Sequence, residues 1–300
     1  MRIGAHISIS KGLPRAAVTA IGIGANTFQF FSRNPRGGAA RKIGAEEISR
    51  WKVKRDELGL APVIAHLPYT VNLGSDEERL VRFARMVVTE DLQRAGQIGA
   101  EFVVTHPGRH GEDGREESLG RVVQLLEAAL GDLEEGSGTY GKEAVPEGVP
   151  GTGPMLLLET MAGQGTELGL LEDLQAILEG LGWHERVGVC LDSAHLFAGG
   201  WNLVERGEVD RLVEKLDATV GLDRVKVMHL NDSTYPCGSR RDRHAVIGEG
   251  ELGLAGIENI VNHPFLGQLP LVLETQVKEY SDYKPQIQTV KELAGKQEQD

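Results

Sequence analysis

The stretch "DEERLVRFARMVVTEDLQRAGQIGAEFVVTHP", residues 76–107, contains both kinds of element that the rest of the chain repeats. In its first part, apolar residues recur every three or four positions, which is typical of a helix with one buried face. Its second part, from residue 101, is a short continuous apolar run, as in strands that are buried on both faces. The combination favours a parallel sheet covered by helices.

The same alternation of short apolar runs and helical segments extends along the chain. The candidate strands begin at residues 2, 27, 63, 101, 155, 187, 225 and 271. Eight strands alternating with helices is the number that builds a (β/α)8 TIM barrel. A doubly wound open sheet is the main alternative, but it usually has a glycine-rich phosphate turn after its first strand, and "AHISISKGLPRA" is not such a turn. We therefore predict a parallel eight-stranded barrel.

One segment departs from this pattern. Residues 131–154 are rich in glycine and proline and lack any helical or strand period, which predicts a loop. Because the segment leads from a helix into a strand, we expect a surface insertion on the barrel face opposite the catalytic loops. We predict that residues 1–300 form a single domain that includes this insertion.

Composition limits the class of protein. A formal net charge of −12 argues against non-specific coating of nucleic acid or membrane. Two cysteines, Cys190 and Cys237, provide no disulfide framework, which suits a reducing compartment. The sequence shows neither a signal-peptide pattern nor an apolar run long enough to span a bilayer. We expect a soluble, cytoplasmic protein.

Histidines and carboxylates recur where the candidate strands end, from the third strand onward. These residues are His66, His106, Glu159, Asp192, His195, His229 and Glu274, with Asp242 and His244 in the loop after the seventh strand. In a barrel the carboxyl ends of the strands converge, and carboxylates packed together need cations between them. Nine groups exceed the four ligands of one zinc ion and suit two or three ions of zinc or manganese. His6, after the first strand, is expected to orient a ligand.

Three loops that follow strands are rich in basic residues. They carry Arg33, Arg36, Arg41 and Lys42, then Arg109, and then Arg240, Arg241 and Arg243. A basic rim around a metal cluster predicts an anionic substrate, and a phosphate ester is the natural candidate.

The ordered motifs identify a family resemblance that extends nearly from end to end. They are "GAHIS", "HLPYTVNLGS", "THPG", "ETMAGQG", "LDSAHLFAGG", "HLNDS", "DRHAVIGEG" and "LETQ". With them the chain resembles the endonuclease IV family of apurinic/apyrimidinic (AP) endonucleases. The resemblance implies a monomeric, zinc-dependent DNA-repair enzyme with three zinc ions. It would cleave double-stranded DNA 5′ to abasic sites and trim blocked 3′ ends, with a hydroxide between two zinc ions as nucleophile.

The resemblance also implies a role for each matching position. His66, His106 and Glu159 would hold the first zinc ion, and Glu159 would bridge to the second. The remaining ligands would be Asp192, His229 and Glu274 for the second ion and His195, Asp242 and His244 for the third, with manganese possible at one site. Glu274 would orient or deprotonate the nucleophile, which makes Glu274 and Glu159 the expected catalytic residues. The expected DNA contacts are Arg36, Tyr69, Arg240, Arg241 and Arg243.

Departures from the family pattern concern DNA recognition more than the ligand set. Gly37 and Gly38 replace bulky or polar residues of the relatives, Thr70 replaces an apolar residue, and Thr160 stands where asparagine is common. These departures bear on how tightly the DNA is bent and not on hydrolysis.

Two other functions compete with this interpretation. A sugar isomerase of the xylose isomerase type would need far fewer histidine ligands. A non-catalytic metal-binding or DNA-binding protein would not need all nine ligand positions together with an open position for water.

Overall fold

The computed structural model describes residues 1–36, 38–134 and 153–295. The barrel strands are β1 (Ile3–His6), β2 (Thr27–Phe31), β3 (Val63–His66), β4 (Phe102–Thr105), β5 (Met155–Glu159), β6 (Val187–Asp192), β7 (Val225–His229) and β10 (Leu271–Leu273). A small antiparallel pair, β8 (Asp232–Ser233) and β9 (His244–Ala245), lies in the loop after β7. The helices are α1 (Leu13–Gly22), α2 (Ala45–Leu58), α3 (Glu78–Ile98), α4 (Arg115–Glu134), α5 (Leu171–Gly180), α6 (Ser193–Gly199), α7 (Arg206–Thr219), α8 (Gly253–Val261) and α9 (Tyr283–Ala294).

The eight barrel strands close in the order β1-β10-β7-β6-β5-β4-β3-β2, and every neighbouring pair is parallel. The predicted TIM barrel is confirmed. Of the predicted insertion, residues 131–134 form the end of α4, so the helix extends further than its glycine-rich sequence indicates. Most of the rest, residues 135–152, lies outside the described residues. Within the described ranges, no helix is both long and apolar enough to cross a membrane.

Local sequence explains where the outer helices end. Gly59 after α2 and Gly99 after α3 have φ values of 62° and 73°, in the left-handed region that only glycine adopts without strain. The apolar faces of these helices pack on the outside of the barrel. There the Trp51 ring meets Phe28 edge to face, with ring centroids 5.8 Å apart.

Inside the barrel, a separate apolar cluster closes the centre. We call it the apolar floor, and it consists of Ile64, Val104, Leu157, Cys190, Val227 and Val272. The first strand contributes no side chain at this level, because a Cβ on Gly4 would lie only 1.9 Å from the carbonyl oxygen of Thr27. Close approach of β1 and β2 therefore requires glycine at this position.

Above the floor lies one layer of polar side chains. Residues two apart on a strand share a face, so each floor residue is followed on the same face by a polar residue. His6 of β1 and Gln29 of β2 occupy the corresponding positions and complete this layer. We call the complete layer the polar ring, and it consists of His6, Gln29, His66, His106, Glu159, Asp192, His229 and Glu274. The alternation of the strands thus directs one polar group from each barrel strand towards the mouth.

Candidate metal centre

A cavity of about 660 Å³ opens over the polar ring. Its walls include ring members together with Tyr69, Arg109 and Arg243 from the loops. His195, Asp242 and His244 also line it, although they lie outside the barrel strands. The cavity therefore brings strand-end ligands and loop residues into one space.

The first group of candidate ligands is His66, His106 and Glu159. The Nε2 atoms of His66 and His106 lie 3.2 Å and 3.3 Å from Glu159 Oε2. His66 Nδ1 lies 2.6 Å from the carbonyl oxygen of Leu67. Nδ1 therefore carries the proton and donates it, which leaves the Nε2 lone pair directed at the site.

The second group contains Glu159, Asp192, His229 and Glu274. His229 Nδ1 lies 3.2 Å from Glu159 Oε1, 3.1 Å from Glu274 Oε2 and 3.9 Å from Asp192 Oδ2. Glu159 thus presents Oε2 to the first group and Oε1 to the second. This is the geometry of a bridging carboxylate.

The third group forms around His195, whose Nδ1 donates to the carbonyl oxygen of Thr160 at 2.8 Å. His195 Nε2 lies 3.2 Å from Asp242 Oδ1, and His244 Nε2 lies 3.7 Å from the same oxygen. His244 Nε2 is also 3.5 Å from Asp192 Oδ2, and the ligand atoms of Asp192, His195 and His244 all lie within 4.8 Å of one another. Asp192 therefore lies between the second and third groups.

Distances within these groups fit metal ligands better than hydrogen bonds. Charge-assisted N–H···O bonds measure about 2.7–2.9 Å, whereas the contacts between ligand atoms given above range from 3.1 to 3.9 Å. Four ligands about 2.0–2.2 Å from a zinc ion in a tetrahedron lie roughly 3.3–3.6 Å apart. In addition, His195 Nε2 and His244 Nε2 are buried without a hydrogen-bond partner among the described residues. The donor set of imidazoles and carboxylates therefore fits divalent cations such as zinc or manganese.

The electrostatics of the cluster point in the same direction. Burial raises the pKa of Glu159, but the charges of His229 and His106 outweigh burial and hold this pKa well below its ordinary value. For His195, burial lowers the pKa, but the carboxylates of Asp192 and Asp242 outweigh burial and raise this pKa well above its ordinary value. The carboxylates thus favour the protonated, positively charged form of the His195 imidazole. A cation would supply the same compensating charge while replacing that proton.

The loop that carries Asp242 and His244 is anchored from below by Asp232. The fully buried Asp232 carboxylate accepts backbone N–H groups of Gly248, Gly250 and Gly253, at distances from 2.9 Å to 3.2 Å. The side chain of Gln164 accepts the backbone N–H of Asp242 at 2.9 Å. This close packing requires glycine at position 250, because a Cβ there would lie 2.4 Å from Asp232 Oδ1.

Sequence reasoning missed two polar residues that hold the ring. Asn231 donates to Asp192 Oδ2 and accepts the backbone N–H of Glu274, both at 2.8 Å. Gln29 contacts His229 and Glu274 from β2. A signal for Gln29 was present, because it is the one polar residue between the phenylalanines of "TFQFF". Thr160 also has a defined task, since its hydroxyl accepts the backbone N–H of Asp192 at 2.8 Å.

The basic rim is smaller than its sequence suggests. Arg33 is buried, with its guanidinium nitrogen NH2 2.7 Å from Asp91 Oδ1, so the prediction that it faces a substrate is wrong. Arg41 pairs with Glu47. The charge of each is neutralised within the fold by an acid from a neighbouring helix, α3 or α2. Neither arginine therefore contributes an unpaired positive charge to the basic rim.

Other predicted loop residues stay exposed to solvent. Arg36, Arg240 and Arg243 are exposed, and Arg240 has a φ of 51°. The guanidinium carbon of Arg241 lies 3.7 Å from the ring centroid of Tyr235. Tyr69 is 59% exposed, with its ring centroid 5.5 Å from that of His106. Of these residues Tyr69 and Arg243 line the cavity, so its wall combines an aromatic side chain beside the ligands with a cation.

The second-strand loop has a local reason for one of its glycines. Gly38 has a φ of +66°, and a Cβ there would lie 2.8 Å from the Phe83 ring. Its carbonyl oxygen accepts a hydrogen bond from the buried Arg33. A bulky residue at this position would therefore require the loop to move. Gly37 lies outside the described residues, and Thr70 is exposed beside Tyr69.

Known proteins are similar to this chain in both sequence and fold. A family model described as a xylose isomerase-like TIM barrel matches residues 17–295. The chain is 55% identical over 293 residues to the probable endonuclease 4 of Moorella thermoacetica, and the match covers 98% of this chain and 99% of that protein. It is 42% identical over 288 residues to the probable endonuclease 4 of Heliobacterium modesticaldum, and that match covers 96% of this chain and 97% of the relative.

Solved structures give the same result. The crystal structure of endonuclease IV from Thermus thermophilus matches with a TM-score of 0.80 and 30% identity, over 97% of this chain and all of that chain. A D-tagatose 3-epimerase-like protein matches with a TM-score of 0.66 and 18% identity, over 99% of both chains. At that identity the second likeness concerns the fold alone.

Proposed function

This chain belongs to the endonuclease IV family, and we propose that it is a DNA-repair endonuclease that hydrolyses the phosphodiester 5′ to abasic sites and trims blocked 3′ ends. One observation carries the proposal: three candidate ligand groups are joined through Glu159 and Asp192, and each of them contributes residues to the wall of one cavity at the barrel mouth. A row of cation sites suits a phosphodiester, because negative charge builds on the phosphate and on the leaving oxygen.

The proposed cofactors are three zinc ions per chain, with manganese as an alternative at one site. The proposed ligands are His66, His106 and Glu159 for the first ion, Glu159, Asp192, His229 and Glu274 for the second, and His195, Asp242 and His244 for the third. The position of Asp192 supports a further contact with the third ion. When bound, the ions would supply positive charge that polarises the phosphate and favours ionisation of water.

Individual side chains would orient the attacking water, neutralise phosphates and support the extruded nucleotide. Glu274 Oε1 accepts a hydrogen bond from Gln29 at 2.6 Å, so its carboxylate is held in place to orient or deprotonate the attacking water. Arg109 and Arg243 line the cavity and would neutralise backbone phosphates. Tyr69, exposed over His106, would support the extruded abasic nucleotide from the cavity side.

The proposed partner is double-stranded DNA that contains abasic or 3′-blocked sites. We further propose a single-domain, monomeric protein of the cytoplasm. Arg36, Arg240 and Arg241 would contact the DNA backbone from the loops around the cavity, in addition to Arg243. Their exposure in loops that follow barrel strands supports this assignment.

A sugar epimerase or isomerase is the strongest rival, because epimerase-like barrels share the fold. Such an enzyme would need a proton-transferring group at a sugar carbon and fewer histidine ligands. The third group, with His195 and His244 in addition to Asp242, weighs against this rival.

A nicking assay tests the proposed function. The substrate is a duplex with one tetrahydrofuran abasic analogue, without added magnesium, and the expected product is a single 5′ incision. A matched intact duplex serves as the control. If protein that holds about three zinc ions per chain fails to nick the abasic duplex, the proposal is wrong. Conversion of a ketose to its epimer would support the rival.

A further inference from the structure

Gln29 lies at the centre of a hydrogen-bond network beneath the candidate metal ligands. Its side-chain nitrogen lies 2.6 Å from Glu274 Oε1 and 3.1 Å from His6 Nδ1. Its side-chain oxygen lies 2.8 Å from His229 Nε2. The residue is fully buried and does not line the main cavity. One amide thus contacts three other members of the polar ring.

The chemistry of these partners determines how the amide is oriented. A primary amide has two N–H donors and one carbonyl acceptor, and here each has a partner of the complementary kind. Rotation of the amide by half a turn would place its oxygen against the Glu274 carboxylate, which cannot donate a hydrogen bond when it is ionised. The rotated amide would also remove the N–H donor that now faces His6 Nδ1. The observed orientation therefore gives both Glu274 and His229 a partner of the complementary kind, although His6 Nε2 stays buried without a hydrogen-bond partner among the described residues.

This orientation fixes the protonation of His229. Because the Gln29 oxygen can only accept, His229 Nε2 must carry a proton and donate it. The lone pair that remains for a metal is therefore on Nδ1, the atom that faces Glu159 and Glu274. The same amide draws Glu274 Oε1 towards β2, which leaves Glu274 Oε2 3.1 Å from His229 Nδ1.

We propose that Gln29 is a positioning residue, which selects the metal-binding tautomer of His229 and the orientation of the Glu274 carboxylate in one step. The idea rests on the proposed function for its effect on cleavage, but its effect on metal binding does not depend on the substrate. Groups that hydrogen-bond to metal ligands contribute about 10–100-fold to metal affinity or activity. Gln29 acts on two ligands of the same group.

The test uses Gln29→Met, which keeps a side chain of similar length but removes both donors and the acceptor. We expect the affinity of one zinc site, measured by competition with a fluorescent zinc chelator, to fall about 10–100-fold. We expect kcat on the abasic duplex to fall by a similar factor. KM should stay within about twofold, because a fully buried residue outside the cavity does not contact DNA.

Gln29→Glu provides a second test that preserves the shape of the side chain. Its carboxylate can still accept from His229 Nε2, but it presents an oxygen to Glu274 where the parent presents an N–H. At neutral pH we expect a lower kcat than that of the parent. A residue that only fills space would allow nearly parental kcat, so that result would contradict the proposal even if Gln29→Met fails to fold.

Phe28→Leu is the matched control on the same strand. Its side chain points to the outer core against Trp51, so it should lower the melting temperature without altering zinc affinity. Folded Gln29→Met protein with parental zinc affinity would overturn the proposal. If the parent protein fails to cleave abasic DNA, the proposed function is wrong, and the zinc competition still decides the role of Gln29.

Discussion

Asp232 Oδ2 accepts the backbone N–H of Gly250 at 3.0 Å, which links the end of β7 to the loop that carries Asp242 and His244. The same carboxylate also accepts N–H groups of Gly248 and Gly253. The negative charge of Asp232 compensates the partial positive charges of the backbone N–H groups that converge on it. The position of these two candidate ligands therefore depends on a buried carboxylate that does not itself line the cavity.

Asp232→Asn tests this dependence. The amide nitrogen cannot accept, so at least one buried N–H loses its partner, at a cost of about 1–3 kcal/mol. We expect a lower melting temperature and weaker binding of one zinc ion, measured by thermal unfolding and by chelator competition. Asp217→Asn, at an exposed position of α7, is the control. Parental metal binding by the Asp232 variant would show that the loop holds its ligands without this anchor.

His244→Ala should remove one metal ion and leave the barrel folded. His244 lies in β9, outside the closed barrel, so its removal opens no gap between barrel strands. We expect one zinc ion fewer by elemental analysis, unchanged circular dichroism, and cleavage lowered by more than about 100-fold. His263→Ala, beside Asp210 and away from the cavity, should retain all three ions. Unchanged cleavage by the His244 variant would refute the third site.

The metal-free protein should show a pH-dependent stability that bound metal removes. Since the pKa of Glu159 is lowered, its contribution to the free energy of unfolding is present above 4.5 and is lost as the pH falls through the lowered pKa. Since the pKa of His195 is raised, its contribution is fully present below 6.5 and is lost as the pH rises through the raised pKa. Thermal unfolding should therefore show a decreasing melting temperature of metal-free protein above pH 6.5. An equal decrease in zinc-loaded protein would contradict this explanation.

Arg33 and Arg36 should respond in opposite ways, although both belong to one basic loop. Arg33→Met leaves the buried Asp91 carboxylate unpaired and should cost about 3–5 kcal/mol of stability. Arg36→Ala removes an exposed charge and should leave the melting temperature unchanged. It should raise KM for abasic DNA and reduce the salt-dependence slope of binding by about 1. Equal loss of stability in both variants would contradict the division of this loop into a buried and an exposed arginine.

The sequence was sufficient to predict the barrel and to place the candidate ligands near one another. Continuous apolar runs identify parallel strands, and a residue such as His106 or Glu159 at the end of a run must face the mouth that all strands share. The period of two along each strand then directs these side chains inward. Both inferences need only the local sequence and the rule that the carboxyl ends of parallel barrel strands lie on one face.

The remaining features depend on contacts between distant parts of the chain. Arg33 reads as a surface cation because its partner, Asp91, lies 58 residues further along. Asp192 was assigned to one group because its approach to His244 depends on the path of a long loop. Gln29 carries no charge, so only its three partners reveal that it belongs to the site.

The residues that maintain the barrel, including the apolar floor, differ from the residues of the polar ring that supply the candidate ligands. The floor, the helices and the strand pairing close the barrel below the site, whereas the ring contributes one side chain at, near or just beyond the end of each of eight strands. Descendants of such a barrel can acquire a different reaction by exchanging side chains at fixed, mutually adjacent positions while every turn and helix is retained. Exchange of one ring residue would alter the set of ligands without altering the pairing of the strands.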